Sequence, residues 1–352
     1  MNKIDRNHNF DVLRIIAMLM IIIHHCVIND FGLLNSLNFG GSLSQKQTII
    51  LIFANASSII GVNIFFLITG YFRTSFKIKK IVSLVVQVYL IFGIVSLIGM
   101  LIGILPYSFD AIKDILNPFN KYWFLATYLG ILVFSPLLNI ILDNISKKES
   151  IIFIVFIILL FSLYSFKYDV FHIDGGYSLI WGIILYIIGG IIKKFNLKSK
   201  KGIIVYCTCF LINASIAVFL LLKGKIFGIT SWDMYKYNNI LVFIESIGLF
   251  IFFNSFANKI TNNKIINVIN FLASSTLMTY LLHSTCCLTV IRKIPIIFMI
   301  NNGHFKLGLL LLPIYAFIIF IICSIISFLY NKTIQKIINH IFLKIENNHH
   351  YH

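Results

Sequence analysis

The sequence predicts an all-α, polytopic integral membrane protein with about ten transmembrane helices and both termini cytoplasmic. Three observations lead there. Of 352 residues, 59% are hydrophobic and only 12% charged, with a mean hydropathy of +0.93, far outside the range of a soluble domain. The apolar residues come as continuous runs close to the ~17–25 needed to cross a hydrocarbon core, not as the alternating segments of a membrane barrel. The 29 lysines and arginines fall mainly in alternate connections, which sets the orientation by the positive-inside rule.

The spans follow in order. The first, about 10–29, holds Asp11 and Arg14 and lacks a small-residue cleavage site, so it reads as an uncleaved signal anchor. The second, about 50–71, follows a polar outer loop and ends at the inner basic stretch of Arg73, Lys77, Lys79 and Lys80. The third, about 81–105, leads to the outer loop 106–121, and the fourth, about 122–143, opens on Tyr122 and Trp123. Inner lysines 147 and 148 precede the fifth span, about 150–166, while Lys193, Lys194, Lys198, Lys200 and Lys201 separate the sixth, about 177–195, from the seventh, about 202–222. The last three are about 238–256, 265–288 and 307–330, with 223–237 and 289–306 as polar outer loops. No linker or repeat divides the chain, so residues 1–352 form one integral membrane domain.

Most of the excess behind the net charge of +17 lies in short juxtamembrane segments on the inner side, with Lys3, Arg6, Lys259, Lys264, Lys332, Lys336 and Lys344 among them, where it sets topology and meets anionic lipid. That accounts for it without nucleic acid. The six cysteines lie within or at the ends of apolar spans and read as small buried hydrophobes rather than disulfides. The histidine-containing tail, residues 347–352, has no spaced acidic or cysteine partners, so it is read as solvated and no metal is expected.

Asp11, Arg14 and His25 stand out because ionisable side chains inside a span are costly. Arg14 and His25 are eleven residues apart, ~20° in direction and ~16 Å along the helix axis, so they share one stripe. Asp11 is placed to pair with Arg14 as an i, i+3 neighbour, and His24 points away. Such a stripe faces a cavity or a polar ligand if it is functional, whereas a lone His25 would be a packing residue bonded to a neighbouring helix. His283, near the outer end of the ninth span, lies at a depth similar to that of His25. It is either an interfacial histidine or the other flank of the same outer cavity. Glu245 in the eighth span is partnered, as in an ion pair with a histidine, or neutral. Asn63 and Thr69 line that interior or bond between helices. Trp123 is either a belt residue or the lining of a sugar-binding mouth. Arg73, Lys77 and Lys80 are topogenic charges or a phosphate-binding patch.

These residues carry a resemblance. Phe10-Asp11-Val12-Leu13-Arg14 with His25, Phe65-Phe66-Leu67-Ile68-Thr69-Gly70-Tyr71, Tyr122-Trp123-Phe124-Leu125 and Tyr280-Leu281-Leu282-His283 occur in the order found in acyltransferase family three, which the chain resembles over nearly its whole length. The family moves acyl groups onto cell-surface polysaccharides, such as capsule, and other exported acceptors. The resemblance implies acyl-CoA as donor, usually acetyl-CoA, reached from the cytoplasm, and an acceptor hydroxyl on a polysaccharide or lipid-linked sugar outside a bacterial cytoplasmic membrane. It implies that His25 and Arg14 are the essential pair and that Asp11 is the acid before the arginine. Thr69 stands where the family usually has serine, and Arg73 with the nearby lysines where many members have paired arginines. The expected mechanism is a water-filled passage in which donor phosphates meet Arg14, Arg73, Lys77 and Lys80, His25 acts as base or acyl carrier, and Trp123, His283 and Glu245 receive the acceptor. A transporter of a lipid-linked glycan or small solute is the competing class. The oligomeric state, a homo-oligomer included, stays open.

Overall fold

The computed structural model describes residues 7–38, 41, 43–256 and 262–349. Lys3, Arg6 and Lys259, the side chain of Lys344 and those of the 347–352 tail lie outside what it describes. Helix α1 (His8–His25), capped by the Asn7 side chain, runs into one π-helical turn, Cys26–Asp30, and a short α2 (Leu33–Asn38). Helices α3 (Gln45–Ala56) and α4 (Gly61–Tyr71) share the second crossing. Then come α5 (Ile78–Leu101), α6 (Phe109–Leu116) and α7 (Trp123–Asn144). Helix α8 (Lys147–Phe156) passes through a π-helical stretch, Ile157–Tyr164, into α9 (Ser165–Tyr168). The chain continues as α10 (Leu179–Lys194), α11 (Gly202–Lys223), α12 (Ile240–Asn254) and α13 (Asn263–His283). It closes with α14 (Cys286–Asn301), α15 (Phe305–Lys332) and α16 (Ile334–His349). Among the described residues the only strand-like pairing is a bridge between Ile226 and Ile229.

Helix α1 is central and packs on α4, α12, α13 and α15. Helix α10 is buried almost throughout and lies against α4 and α7. Two glycines permit its approach to α4: a Cβ on Gly70 would stand 1.8 Å from the Tyr186 carbonyl oxygen, and one on Gly189 would stand 2.1 Å from that of Leu67. Small residues bring backbones together where lipid gives helices no hydrophobic reason to associate. Outward-facing residues such as Leu97 and Leu101 on α5, Leu137 and Ile140 on α7 and Ile314 on α15 are exposed, as a lipid-facing surface requires.

Among the described residues, eight helical segments are long and apolar enough to cross a membrane, and they coincide with eight of the ten expected spans. The other two fall on α8–α9 and on α10, which has only 16 residues. The second span is not one helix. Ser57 Oγ bonds the Ala54 carbonyl, Ser58 Oγ bonds those of Ala54 and Asn55, and the chain turns at 57–60 before α4 begins. The expected outer loop 289–306 is mostly α14, and its Arg292, assigned to that loop, is buried. Loop 106–121 contains α6, an amphipathic helix whose Phe109, Ile112 and Leu116 are exposed.

Candidate active site

The first apolar stretch keeps its ionisable residues for two different places. At the α1 N-terminal end, Arg14 Nη1 donates to Asp11 Oδ1 at 2.8 Å, Asp11 is 1% exposed, and His8 stands 3.4 Å from the other carboxylate oxygen. The guanidinium lies 5.3 Å over the Phe72 ring. It borders a cavity of about 530 Å³ lined also by Thr69, Arg73, Thr74, Lys80, Tyr128, Ser274, Thr276 and Tyr280. Of the four residues expected to hold phosphates, Arg14, Arg73 and Lys80 line this cavity and Lys77 does not. Arg73 is also bonded to Asp143, and Lys80 donates to Thr74 Oγ1 at 2.8 Å.

At the other end of α1, His25 Nδ1 lies 3.0 Å from His283 Nε2, with the rings stacked at 4.9 Å and 20° between planes. His283 is fully buried and its Nδ1 is 2.9 Å from the carbonyl oxygens of Thr279 and Tyr280. A carbonyl oxygen can only accept, so His283 Nδ1 carries the proton and Nε2 is its acceptor. His25 then donates from Nδ1, which leaves the Nε2 lone pair of His25 uncommitted. His24 is held separately, its Nδ1 2.6 Å from Asn55 Oδ1.

The π-helical turn directly after His25 gives the pair its frame. The i+5 bond from Phe31 N to Cys26 O (2.8 Å) closes this turn, which carries Asp30 into the interior. Arg292 pairs with Asp30 through Nε and through Nη2 (3.1 Å to Oδ1), while Nη1 donates to the His283 carbonyl at 3.0 Å. One guanidinium therefore ties the end of α1 to the end of α13. Sequence reasoning missed this strut because both residues were placed in loops. The signal available was an acid and a base, each beside a histidine-bearing span.

The structure does not bring every candidate to the histidines. Both Glu245 carboxylate oxygens are buried without a hydrogen-bond partner, and the expected ion pair with a histidine is not formed. Trp123 sits among Phe66, Phe124, Tyr177 and Tyr237. Asn63 bonds between helices: Nδ2 donates to the Tyr237 carbonyl and Ser246 Oγ, and Oδ1 accepts from Trp181 Nε1. Nor do Arg14 and His25 border one continuous passage. The cavity at Arg14 reaches Phe124 and Tyr280, His25 is not among its lining residues, and the Tyr280 ring, 5.7 Å from that of His283, stands between. The six cysteines are free, Cys26, Cys209 and Cys323 buried and the others half-buried.

A helical bundle crossing a membrane, with a basic cavity at one end and an imidazole pair beyond it, half-buried at His25 and buried at His283, suits an integral membrane enzyme of group transfer. The profile of the acyltransferase family three domain matches residues 7–330, and the chain belongs to that family of membrane acyltransferases. No curated protein and no solved structure matches the chain.

Proposed function

We propose that the chain moves an acyl group, acetyl in the first instance, from cytoplasmic acyl-CoA to a hydroxyl of an extracytoplasmic or lipid-linked polysaccharide in a bacterial plasma membrane. The observation that carries this reading is the His25–His283 pair, because its hydrogen-bond order leaves one basic lone pair on His25 Nε2. Arg14, Arg73 and Lys80 offer the donor phosphates a charged mouth, and the cavity leads from there to Tyr280. Its volume lies in the range of ordinary ligand pockets. To reach His25, ~16 Å from Arg14 along α1, the pantetheine arm then has to pass the Tyr280 ring that closes the cavity on this side.

In the transfer step His25 Nε2 takes the proton of the acceptor hydroxyl as its oxygen attacks the thioester carbonyl. The carbon–oxygen bond forms, the carbon–sulfur bond breaks, and the proton passes from His25 to the departing thiolate. His283 holds the attacking tautomer and Asp11 orients Arg14. General-base assistance contributes ~10²–10⁴ in rate. Purified His25→Ala protein in lipid nanodiscs should therefore transfer label from radiolabelled acetyl-CoA to native glycan at least ~10²-fold more slowly than the parent. Wild-type turnover by His25→Ala would overturn the reading. Poor glycan export with intact acylation would favour the transporter class.

A further inference from the structure

A second cavity lies at the histidine end of the bundle. It holds about 340 Å³ between the last turns of α5, the amphipathic α6 and the turn joining α13 to α14. Its polar lining includes Ser96, Asp114, Lys121, Ser284, Thr285 and Thr289, with the Phe92 ring as an apolar wall. Asp114 and Lys121 form an ion pair at 2.7 Å, and both remain substantially exposed. The mixture of hydroxyls, one carboxylate and one aromatic face is what a sugar ring needs: acceptors and donors for its hydroxyls, and a surface for its C–H face.

The position is more telling than the composition. Tyr280 lines the cavity at Arg14, His283 bonds His25, and Ser284 and Thr285 line this second cavity, all within two turns of chain. The partition between the two spaces is aromatic. Tyr122 lies 5.6 Å from Phe92 on one side and 6.2 Å from Tyr280 on the other, and its hydroxyl donates to the Leu281 carbonyl at 2.8 Å. The two chambers thus approach the histidine pair from opposite ends of the bundle, one as far as Tyr280 and the other as far as Ser284, without either being lined by the histidines.

We infer that this cavity binds the glycosyl unit whose hydroxyl is acylated, with Asp114, Ser284, Thr285 and Thr289 contacting its hydroxyls and Phe92 its ring face. The inference rests on the transferase reading above and assigns the acceptor to this end rather than to Trp123 or Glu245. Helix α6 roofs the cavity with Ala111 and Asp114 and exposes Phe109, Ile112 and Leu116 on its other side. The roof is thereby suited to the membrane interface, where polymer and lipid-linked glycan are both within reach.

Cys286 lines the same cavity and supplies a chemical handle. Cells carrying the protein and its glycan, with Cys207 and Cys287 replaced by serine, would be treated with an impermeant cationic methanethiosulfonate. Membranes from them would then receive radiolabelled acetyl-CoA. Label would be counted in polymer and in organic-soluble glycan separately, to tell the two acceptor sources apart, and released CoA thiol would be measured alongside. Modification of Cys286, verified by mass spectrometry, should lower label in the summed glycan fractions and released CoA thiol together, each at least tenfold, because the thiolate departs only as the acceptor hydroxyl attacks. Thr289→Trp, which fills the cavity without any reagent, should have the same effect. Transfer at the untreated rate with Cys286 fully modified overturns the inference, and so does a Cys286 that the reagent never reaches. Absence of CoA release from untreated membranes would instead remove the transferase reading beneath it.

Discussion

A histidine serves as a base only when the nitrogen facing the substrate is the bare one, and at His25 that choice belongs to His283. Two carbonyl oxygens fix the proton on His283 Nδ1, and the 3.0 Å contact passes the constraint to His25. Replacing His283 by alanine frees the His25 ring to adopt either tautomer and either orientation. His283→Ala should therefore lower kcat by ~10–10², the cost of losing a partner that orients a working imidazole, with the KM for acyl-CoA little changed. His283→Gln can still accept from His25 Nδ1 through its amide oxygen and should recover part of the loss. Equal activity in all three proteins would mean that His283 is only a packing residue. Sequence alone exposes Arg14 and His25, since charge in an apolar span is conspicuous. It sets His283 at the depth of His25 as one of two readings, but cannot show the direct contact of two imidazoles that are 258 residues apart and meet only through helix packing. Glu245 drew attention by the same logic of burial, yet it stays apart from the pair because burial marks expense, not location.

At the scale of elements, the turn after His25 and the start of α14 behave as one joint. The Asp30–Arg292 pair is buried, so removing one partner strands the other: Arg292→Met alone should cost ~3–5 kcal/mol of stability. The double variant Asp30→Leu/Arg292→Met replaces both charges by apolar groups and should recover most of that stability. If the pair also positions the histidines, the double variant remains slow in kcat although it melts close to the parent. Thermal unfolding in detergent and turnover in nanodiscs separate the two effects, and full activity in the double variant would make the pair purely structural. This joint is also where reading the sequence fell short. Long apolar runs announce themselves, and eight of the ten expected spans coincide with helical segments long enough to cross a membrane among the described residues. Helix α14 is hidden because Arg292, Lys293 and Pro295 interrupt its apolar pattern, and the second crossing looks continuous because nothing apolar is lost at Ser57 and Ser58. A helix whose charge is neutralised by a partner far away in the chain has no local signature.

For the whole molecule, the proposed reaction requires that two substrates of opposite sidedness meet without opening a path for water or ions. The bundle supplies one chamber at each end and an aromatic partition of Tyr122 and Tyr280 beside the histidines. Such a wall excludes water from a thioester that would otherwise hydrolyse, while leaving room for the acyl carbon to pass when a hydroxyl is in place. Tyr280 is the residue to remove, since it borders the cavity at Arg14 and also packs against Phe124 and His283. Tyr280→Ala opens a gap of an aromatic side chain between the Arg14 cavity and the histidines and admits water to His25, the proposed base. Release of CoA without acceptor should then rise several-fold relative to the parent, and acyl transfer per CoA released should fall. Tyr280→Phe keeps the ring and should remain coupled. A Tyr280→Ala protein that transfers one acyl group for each CoA released, as the parent does, would place the water barrier elsewhere in the bundle.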